Sequence, residues 1–249
     1  LTAAQKALLL WHFKLGISMQ DVQQLMKSHT AVLEDGTTQI FPPVLKAEPP
    51  EAATCPLPPC PTCKLASAKR TKSPSPSTSK KNPSKVDVLA RDRYVAGDFV
   101  SSDQFKVPVP GRRLFGFGKE KDEDLYTCGT VYHDMATSYI HMEFQSDGSA
   151  EETLIGKIQF EQFLGDFGVT IKHLHSDNGI YIAKDFREDC ARKGQKQTFS
   201  GVGSQFENGA AERAIQTIFW MARSMMLHVA LRWNEHEVDS PRLWPFAVK

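Results

Sequence analysis

After Gly97 the chain settles into an order of patterned segments that leaves few folds open. Residues 98–107 read as a strand, followed by a turn at Pro108-Val109-Pro110-Gly111. Residues 126–132 and 138–144 are two more strand candidates, with Asp134-Met135-Ala136-Thr137 turning between them. Over 151–166 the apolar residues Leu154, Ile155, Ile158, Phe160, Phe163 and Leu164 recur at helical spacing. Residues 169–174 form a short apolar run of the kind a buried strand gives. A helix over 184–193, a short strand over 197–199 and a long helix over 210–231 complete the set. Three strands, a helix, a strand, a helix, a strand and a long helix predict an α/β domain with a mixed sheet and helices on both faces.

The first third of the chain is built differently. Leu8, Trp11, Leu15, Val22, Leu25 and Met26 suit helices with one buried face, broken near Gly16 and restarting at Ser18. Residues 37–63 hold eight of the fifteen prolines and are expected to be mostly extended or looped. From Lys64 to Lys85 come seven basic residues and no acidic one, in a Ser/Pro-rich stretch. Such a run suits either a solvated linker or a track along phosphates. The expected organisation is a mostly helical module over 1–66, a linker over 67–96 and an α/β core over 97–249.

Composition narrows the partners only slightly. Thirty Lys and Arg against 29 Asp and Glu give a net charge of +1, so total charge does not point to nucleic acid. Five unevenly placed cysteines do not make a disulfide scaffold, and an intracellular, reducing setting is expected. The apolar stretch from Ala7 to Trp11 is interrupted by His12 and Lys14, which fits neither a signal peptide nor a membrane span. The chain opens at Leu1 without Met and stops at Trp244-Pro245-Phe246-Ala247-Val248-Lys249, mostly apolar and with no polar tail after it, as an excerpt or broken copy of a larger polyprotein would.

Three acidic residues fall where a sheet of this kind presents ligands. Asp103 lies in the first strand of the core, Asp177 in His175-Ser176-Asp177-Asn178-Gly179 after the 169–174 run, and Glu212 in the first turns of the long helix. Three carboxylates offer hard oxygen ligands for two Mg²⁺ or Mn²⁺ ions and hence for in-line displacement at phosphorus. Among 29 acidic residues a triple can always be picked. By itself the pattern therefore does not separate ligands from surface carboxylates beside turns.

At these residues the chain resembles the integrase region of Copia-type retrotransposon polyproteins, particularly those of diatoms and related algae. Leu9-Leu10-Trp11-His12-Phe13-Lys14-Leu15-Gly16 is similar to the segment before the core, and Cys60-Pro61-Thr62-Cys63 to its zinc knuckle. Asp98-Phe99-Val100-Ser101-Ser102-Asp103-Gln104, His175-Ser176-Asp177-Asn178-Gly179 and Asn208-Gly209-Ala210-Ala211-Glu212-Arg213-Ala214-Ile215-Gln216 are similar to the three catalytic motifs. Leu243-Trp244-Pro245-Phe246-Ala247 resembles a downstream stretch. The resemblance implies a ribonuclease H-like core in which Asp103, Asp177 and Glu212 hold two Mg²⁺ or Mn²⁺ ions. It implies 3′-end processing of element cDNA and strand transfer into host DNA. Homo-oligomers, other products of the same polyprotein, particle assembly in the cytoplasm and action in the nucleus follow from it as well. Between Asp177 and Glu212 lie 34 residues, one fewer than is usual in the wider superfamily. Glu207 and Asp134 are read as structural or peripheral.

The same resemblance implies a zinc site with two histidines and two cysteines. His12 and the pair Cys60 and Cys63 match, but the second histidine's position holds Ile17, which offers no side-chain donor. His29 is the expected replacement, with Cys55 another nearby donor, and a decayed site is the other reading. Cys128 and Cys190 are read as buried thiols. Lys193 and Lys196 are expected to meet phosphate, and Arg213 and Gln216 to face DNA beyond Glu212. Gly201-Val202-Gly203-Ser204-Gln205 suits a loop that orders over DNA, whereas Gly116-Phe117-Gly118 lacks the residues of a phosphate loop. Two further functions remain open: a catalytically inactive DNA-binding remnant of a degraded element, and a ribonuclease H-like nuclease that cuts without joining.

Overall fold

The computed structural model describes residues 1–32, 37–67, 94–114, 125–201, 208–232 and 240–249. The basic run beyond Ser67, Gly116-Phe117-Gly118, Glu207 and most of the Gly201–Gln205 loop lie outside the described residues. The chain divides into two compact units, Leu1–Lys69 with Trp220–Asp239, and Arg70–Phe219 with Ser240–Lys249. The sequence reading had assigned all of 97–249 to the core, whereas by contacts Trp220–Asp239 group with the N-terminal unit.

In the first unit, α1 (Ala3–Leu15) starts on a capping box in which Thr2 and Gln5 satisfy each other's free backbone N–H groups. It stops at Gly16, whose φ of 66° is a left-handed C-cap that glycine adopts without a Cβ clash. Ser18 caps α2 (Met19–Leu25) by accepting from the Asp21 N–H at 3.1 Å. Leu8, Val22, Met26 and Ala52 form the core of this unit. A hairpin of β1 (His29–Val32) and β2 (Thr38–Phe41) and a short helix α3 (Pro61–Ser67) follow. The helix was not expected from the proline-rich composition of 37–63, which predicted extended or looped chain. Pro61 sits at the first position of α3, where its missing N–H leaves no intrahelical bond unmade.

The second unit is a five-stranded sheet. Its strands are β3 (Val100–Gly111), β4 (Tyr126–Asp134), β5 (Ile140–Gln145), β6 (His173–Ser176) and β7 (Lys196–Phe199). The order is β5-β4-β3-β6-β7. The first three form an antiparallel meander, and β6 and β7 are parallel to β3. Helices α4 (Ala150–Gly165), α5 (Lys184–Arg192), α6 (Gly209–Arg232) and α7 (Trp244–Val248) complete the element list. The fold class is ribonuclease H-like.

Strand alternation gives the sheet two different faces. Val100 and Leu174 turn to a core with Phe160 of α4, Phe186 and Cys190 of α5, and Tyr132. Phe99, Asp103, Phe105, His173 and His175 share the other face, where Phe105 meets Phe219 of α6 edge-on at 5.1 Å. Ala211 and Ala214, both buried, keep the first turns of α6 slim enough to lie close to the sheet. One expectation is corrected here. The strand runs over His173–Ser176 rather than through 169–174, because Leu174 pairs with Val100 while Ile171 drops into the core ahead of it.

Candidate functional site

Asp103 and Asp177 are set level with each other by strand register. Parallel pairing matches Val100 with Leu174 and Ser101 with His175. The same offset carried two residues further brings Asp103 opposite Asp177, on the same face of neighbouring strands about 4.8 Å apart. Asp177 is the first residue past β6, and its Oδ1 accepts the N–H of Gly179 at 3.1 Å, which folds the carboxylate back over the turn. A Cβ on Gly179 would stand 3.2 Å from both Asp177 carboxylate oxygens, so a side chain here would require that carboxylate to give way by a few tenths of an ångström.

Glu212 is delivered by α6. Asn208 is buried directly ahead of that helix, and its Nδ2 donates to the Ser102 carbonyl at 3.0 Å, tying the helix start to β3 next to Asp103. Glu212 lies four residues on from Asn208 and seven before Phe219, and so on the same side of the helix as both. The Asp103–Glu212 and Phe105–Phe219 pairs thus repeat one another along the same strand and helix.

The electrostatics agree with this arrangement. Burial pushes the Asp103 carboxyl up to about 6 against the opposing N–H of Gln104, which donates to it at 2.8 Å, and the charges of Asp177 and Glu212 raise it further. The three acids are not drawn into a group whose oxygens all lie within 4.8 Å of one another. Three like charges repel at such range, and two ions roughly 3.5 to 4 Å apart need ligands more widely spread than one ion does. Carboxylates are hard oxygen donors of the kind Mg²⁺ or Mn²⁺ takes.

Beside Asp177, His173 and His175 both bond the Thr198 hydroxyl, at 2.7 and 2.9 Å, and Asn178 donates to the Ser200 carbonyl at 2.9 Å. These contacts fasten the Asp177 turn to β7. Burial lowers the pKa of His173, with the charges of Lys196 and His175 acting the same way. Asp134, read as peripheral, accepts from the Gly97 N–H and from the N–H and hydroxyl of Thr137, and so closes the turn after β4.

The four residues expected to meet DNA fall into two groups. Lys196, Arg213 and Gln216 are exposed, Lys196 at the start of β7 and the other two on α6. Lys193 instead pairs with Glu161 at 2.5 Å and Asp189 at 3.0 Å, so its charge is already held by carboxylates. The same network buries Lys157 completely between Glu161 at 2.6 Å and Asp189 at 2.7 Å.

In the N-terminal unit, His12, Cys60 and Cys63 gather with all ligand atoms within 4.8 Å. His12 Nε2 lies 3.0 Å from Cys63 Sγ, and His12 Nδ1 donates to the Ile17 carbonyl at 2.5 Å. That second bond fixes the tautomer that leaves Nε2 free to bind a metal. Burial pushes the Cys63 thiol up to about 12, with the hydrogen bond and charge of Cys60 adding and Thr62 opposing. Thiols so placed give up their protons to a cation, and two sulfurs with an imidazole suit zinc. His29 is not part of this group. It sits exposed on β1, stacked on Phe41 with centroids 5.1 Å apart, because hairpin pairing carries it away. Cys55 is also apart, its sulfur donating to the Ala52 carbonyl at 3.7 Å.

Sequence reasoning quoted Gly179 and Asn208 as motif residues without giving them a role. Gly179's appears only once the Asp177 carboxylate is seen folded over it, and Asn208's once Ser102 is seen beneath it. Neither has a signature in spacing.

No protein-family model and no curated protein sequence matches the chain. Among solved structures it is similar to the HTLV-2 integrase catalytic core domain in complex with magnesium, trimeric form. The identity is 16% over 61% of this chain and 82% of that chain, with a TM-score of 0.40. It is similar to a chain of the simian T-cell lymphotropic virus intasome in complex with PP2A regulatory subunit B56 gamma, at 14% identity over 61% and 47% with a TM-score of 0.43. The catalytic core domain of BIV integrase stands at 17% identity over 61% and 81%, TM-score 0.38. Likenesses this remote carry no functional argument, which rests on the residues themselves.

Proposed function

We propose that the chain is a divalent-metal-dependent polynucleotidyl transferase, the integrase of a Copia-type retrotransposon. It would process the 3′ ends of element cDNA and join them to host DNA. The observation that carries this reading is that parallel register and the Asn208 tether bring Asp103, Asp177 and Glu212 to one face of the two central strands of a ribonuclease H-like sheet, near enough for the charges of Asp177 and Glu212 to raise the Asp103 carboxyl. The sequence motifs around the same three residues supply the Copia assignment.

Asp103, Asp177 and Glu212 would hold two Mg²⁺ or Mn²⁺ ions, which when bound lower the pKa of a water or 3′-hydroxyl and steady the leaving oxygen. The chain's own contribution is positional. Gly179 and the Asp177 Oδ1 bond fix one carboxylate, Asn208 fixes the origin of the helix carrying another, and the Gln104 N–H orients the third. Lys196, Arg213 and Gln216 are exposed and are the residues we assign to DNA, with Lys193 held in its ion pairs. The partners are then double-stranded cDNA ends and target DNA, handled by a homo-oligomer alongside other products of the polyprotein. The proposed location is the nucleus, after particle assembly in the cytoplasm. The zinc-suited group is part of the same proposal, as the module preceding the core, with the three-part division 1–66, 67–96 and 97–249.

The test is a strand-transfer assay with element-end oligonucleotides, Mn²⁺ or Mg²⁺ and Glu212→Gln beside the parent. Joined products from the parent alone support the reading. A folded parent that binds the ends yet joins nothing favours the DNA-binding remnant, and cleavage without joining favours a plain nuclease.

A further inference from the structure

Zinc in a structural site takes four ligands, and the gathered group supplies three. The side chain at position 17 cannot be the fourth, and the Ile17 carbonyl is already taken by His12 Nδ1. His29 and Cys55 are held elsewhere by the Phe41 stack and the Ala52 carbonyl. Another histidine, His228, lies across a small cavity from His12 in the same compact unit, with its nitrogens outside the 4.8 Å group, so binding would have to draw it in. His12, Thr62, Ser224 and His228 line one small cavity of about 10 Å³, together with Gly16 and Met225. A space of that size takes one small ligand or ion.

Two observations mark this cavity as polar in purpose. Ser224 and His228 are both buried, four residues apart and so on one side of α6, an odd pair for a position where leucine would pack. The Ser224 hydroxyl is buried without a hydrogen-bond partner, which leaves its desolvation uncompensated unless something polar occupies the cavity. His228 is held in place by stacking on Phe13, centroids 3.7 Å apart, and Phe13 is the neighbour of His12.

We propose that His228 on α6 is the fourth zinc ligand with His12, Cys60 and Cys63, with the Ser224 hydroxyl oriented toward the bound ion's ligands. This rests on the zinc reading of the three gathered residues. It makes the C-terminal half of α6 a part of the metal module, replacing the donor that position 17 lacks.

The test uses the full chain loaded with Zn²⁺ or Co²⁺, comparing the parent with Cys60→Ser, His29→Ala, His228→Gln and His228→Cys. The parent is expected to hold one zinc against dialysis, and its Co²⁺ form to show tetrahedral d–d bands with thiolate charge transfer. His29→Ala leaves both unchanged. His228→Gln lowers zinc affinity by more than about 100-fold, beyond what loss of an outer-sphere partner causes. His228→Cys restores binding and strengthens the thiolate charge-transfer band. Parent-like affinity and Co²⁺ bands in His228→Gln, or no gain of charge transfer in His228→Cys, overturns the proposal while leaving the zinc site standing. A parent that binds no more Co²⁺ than Cys60→Ser overturns the zinc reading itself.

Discussion

At Asp103 two roles pull against each other, because the position that suits a metal ligand is poor for an unliganded carboxylate. Its folded pKa of about 6 lies above the ordinary carboxylate value near 4. For an acid whose pKa is raised by folding, the penalty is absent below the unfolded pKa, grows as pH rises and is complete above the folded one. Asp103→Asn is therefore expected to raise the melting temperature by about 2–4 °C at pH 7, the shift for ~1 kcal/mol after solvent screening, and by nothing at pH 4. Mg²⁺ should stabilise the parent but not the variant, and its hold on the parent should weaken below about pH 6. A variant that gains equally at both pH values would remove the electrostatic explanation. Gly179→Ala tests the neighbouring contact. A methyl group 3.2 Å from both Asp177 oxygens should displace the carboxylate and reduce Mg²⁺ affinity about 10-fold or more, with little change in the melting temperature of the metal-free protein. Unchanged Mg²⁺ titration in that variant would show that the turn yields to the methyl.

Between elements, α4 and α5 are joined by charge buried in the core of their interface. Lys157 is fully buried, and Glu161 and Asp189 are its partners, with Lys193, Arg192 and Gln195 satisfying the remaining oxygens. Burial alone would raise the Asp189 carboxyl, but hydrogen bonds from Lys157, Lys193 and Arg192 hold it down to about 2. A depressed carboxylate contributes stability above its unfolded pKa and loses it as pH falls from about 4 through 2. Lys157→Ala leaves Asp189 to Lys193 and Arg192 alone and should destabilise the second unit by up to about 3 kcal/mol at pH 7, the low end for breaking a buried pair, whereas the paired change to Met at 157 and Leu at 189 should recover most of it. Chemical denaturation of both variants at pH 7 and pH 3 decides the matter. A Lys157→Ala loss of the same size at both pH values would point to packing instead. On the apolar side of the same interface Phe160, which helical spacing singles out, meets Phe186 and Cys190, while the charge beneath it has no such signal.

For the molecule as a whole, two units of unlike construction share one long helix. The second has a continuous apolar core under its sheet. The first has a small core around Leu8, Val22 and Met26, and the group of His12, Cys60 and Cys63 draws residues 51 positions apart to one place. Small domains of this kind take much of their folding free energy from the metal. Calorimetry of the zinc-loaded protein should show a transition that moves down sharply, or vanishes, after exhaustive chelation, while the transition of the ribonuclease H-like unit stays in place. Identical thermograms with and without chelator would mean that the first unit stands on its apolar core alone. None of the described helices is long and apolar enough to cross a membrane.

Periodicity and short apolar runs are local properties, and they were enough to order the core's strands and helices, because α4 buries one stripe and β4 is a run buried on both faces. The three acids could be singled out in the sequence because each stands in a short contiguous motif, Asp103 within the first core strand, Asp177 just past a strand and Glu212 in the first turn of a helix. The β6 boundary was not, because its two histidines look polar in sequence and are satisfied only by Thr198, more than twenty residues on. The hairpin that carries His29 away from Cys60 was equally hidden, as was the arrival of His228 and Ser224 beside His12. Metal donors that come from distant segments have no spacing to read. Their selection depends on which side of a helix meets which turn, and the chain decides that only when its cores are packed.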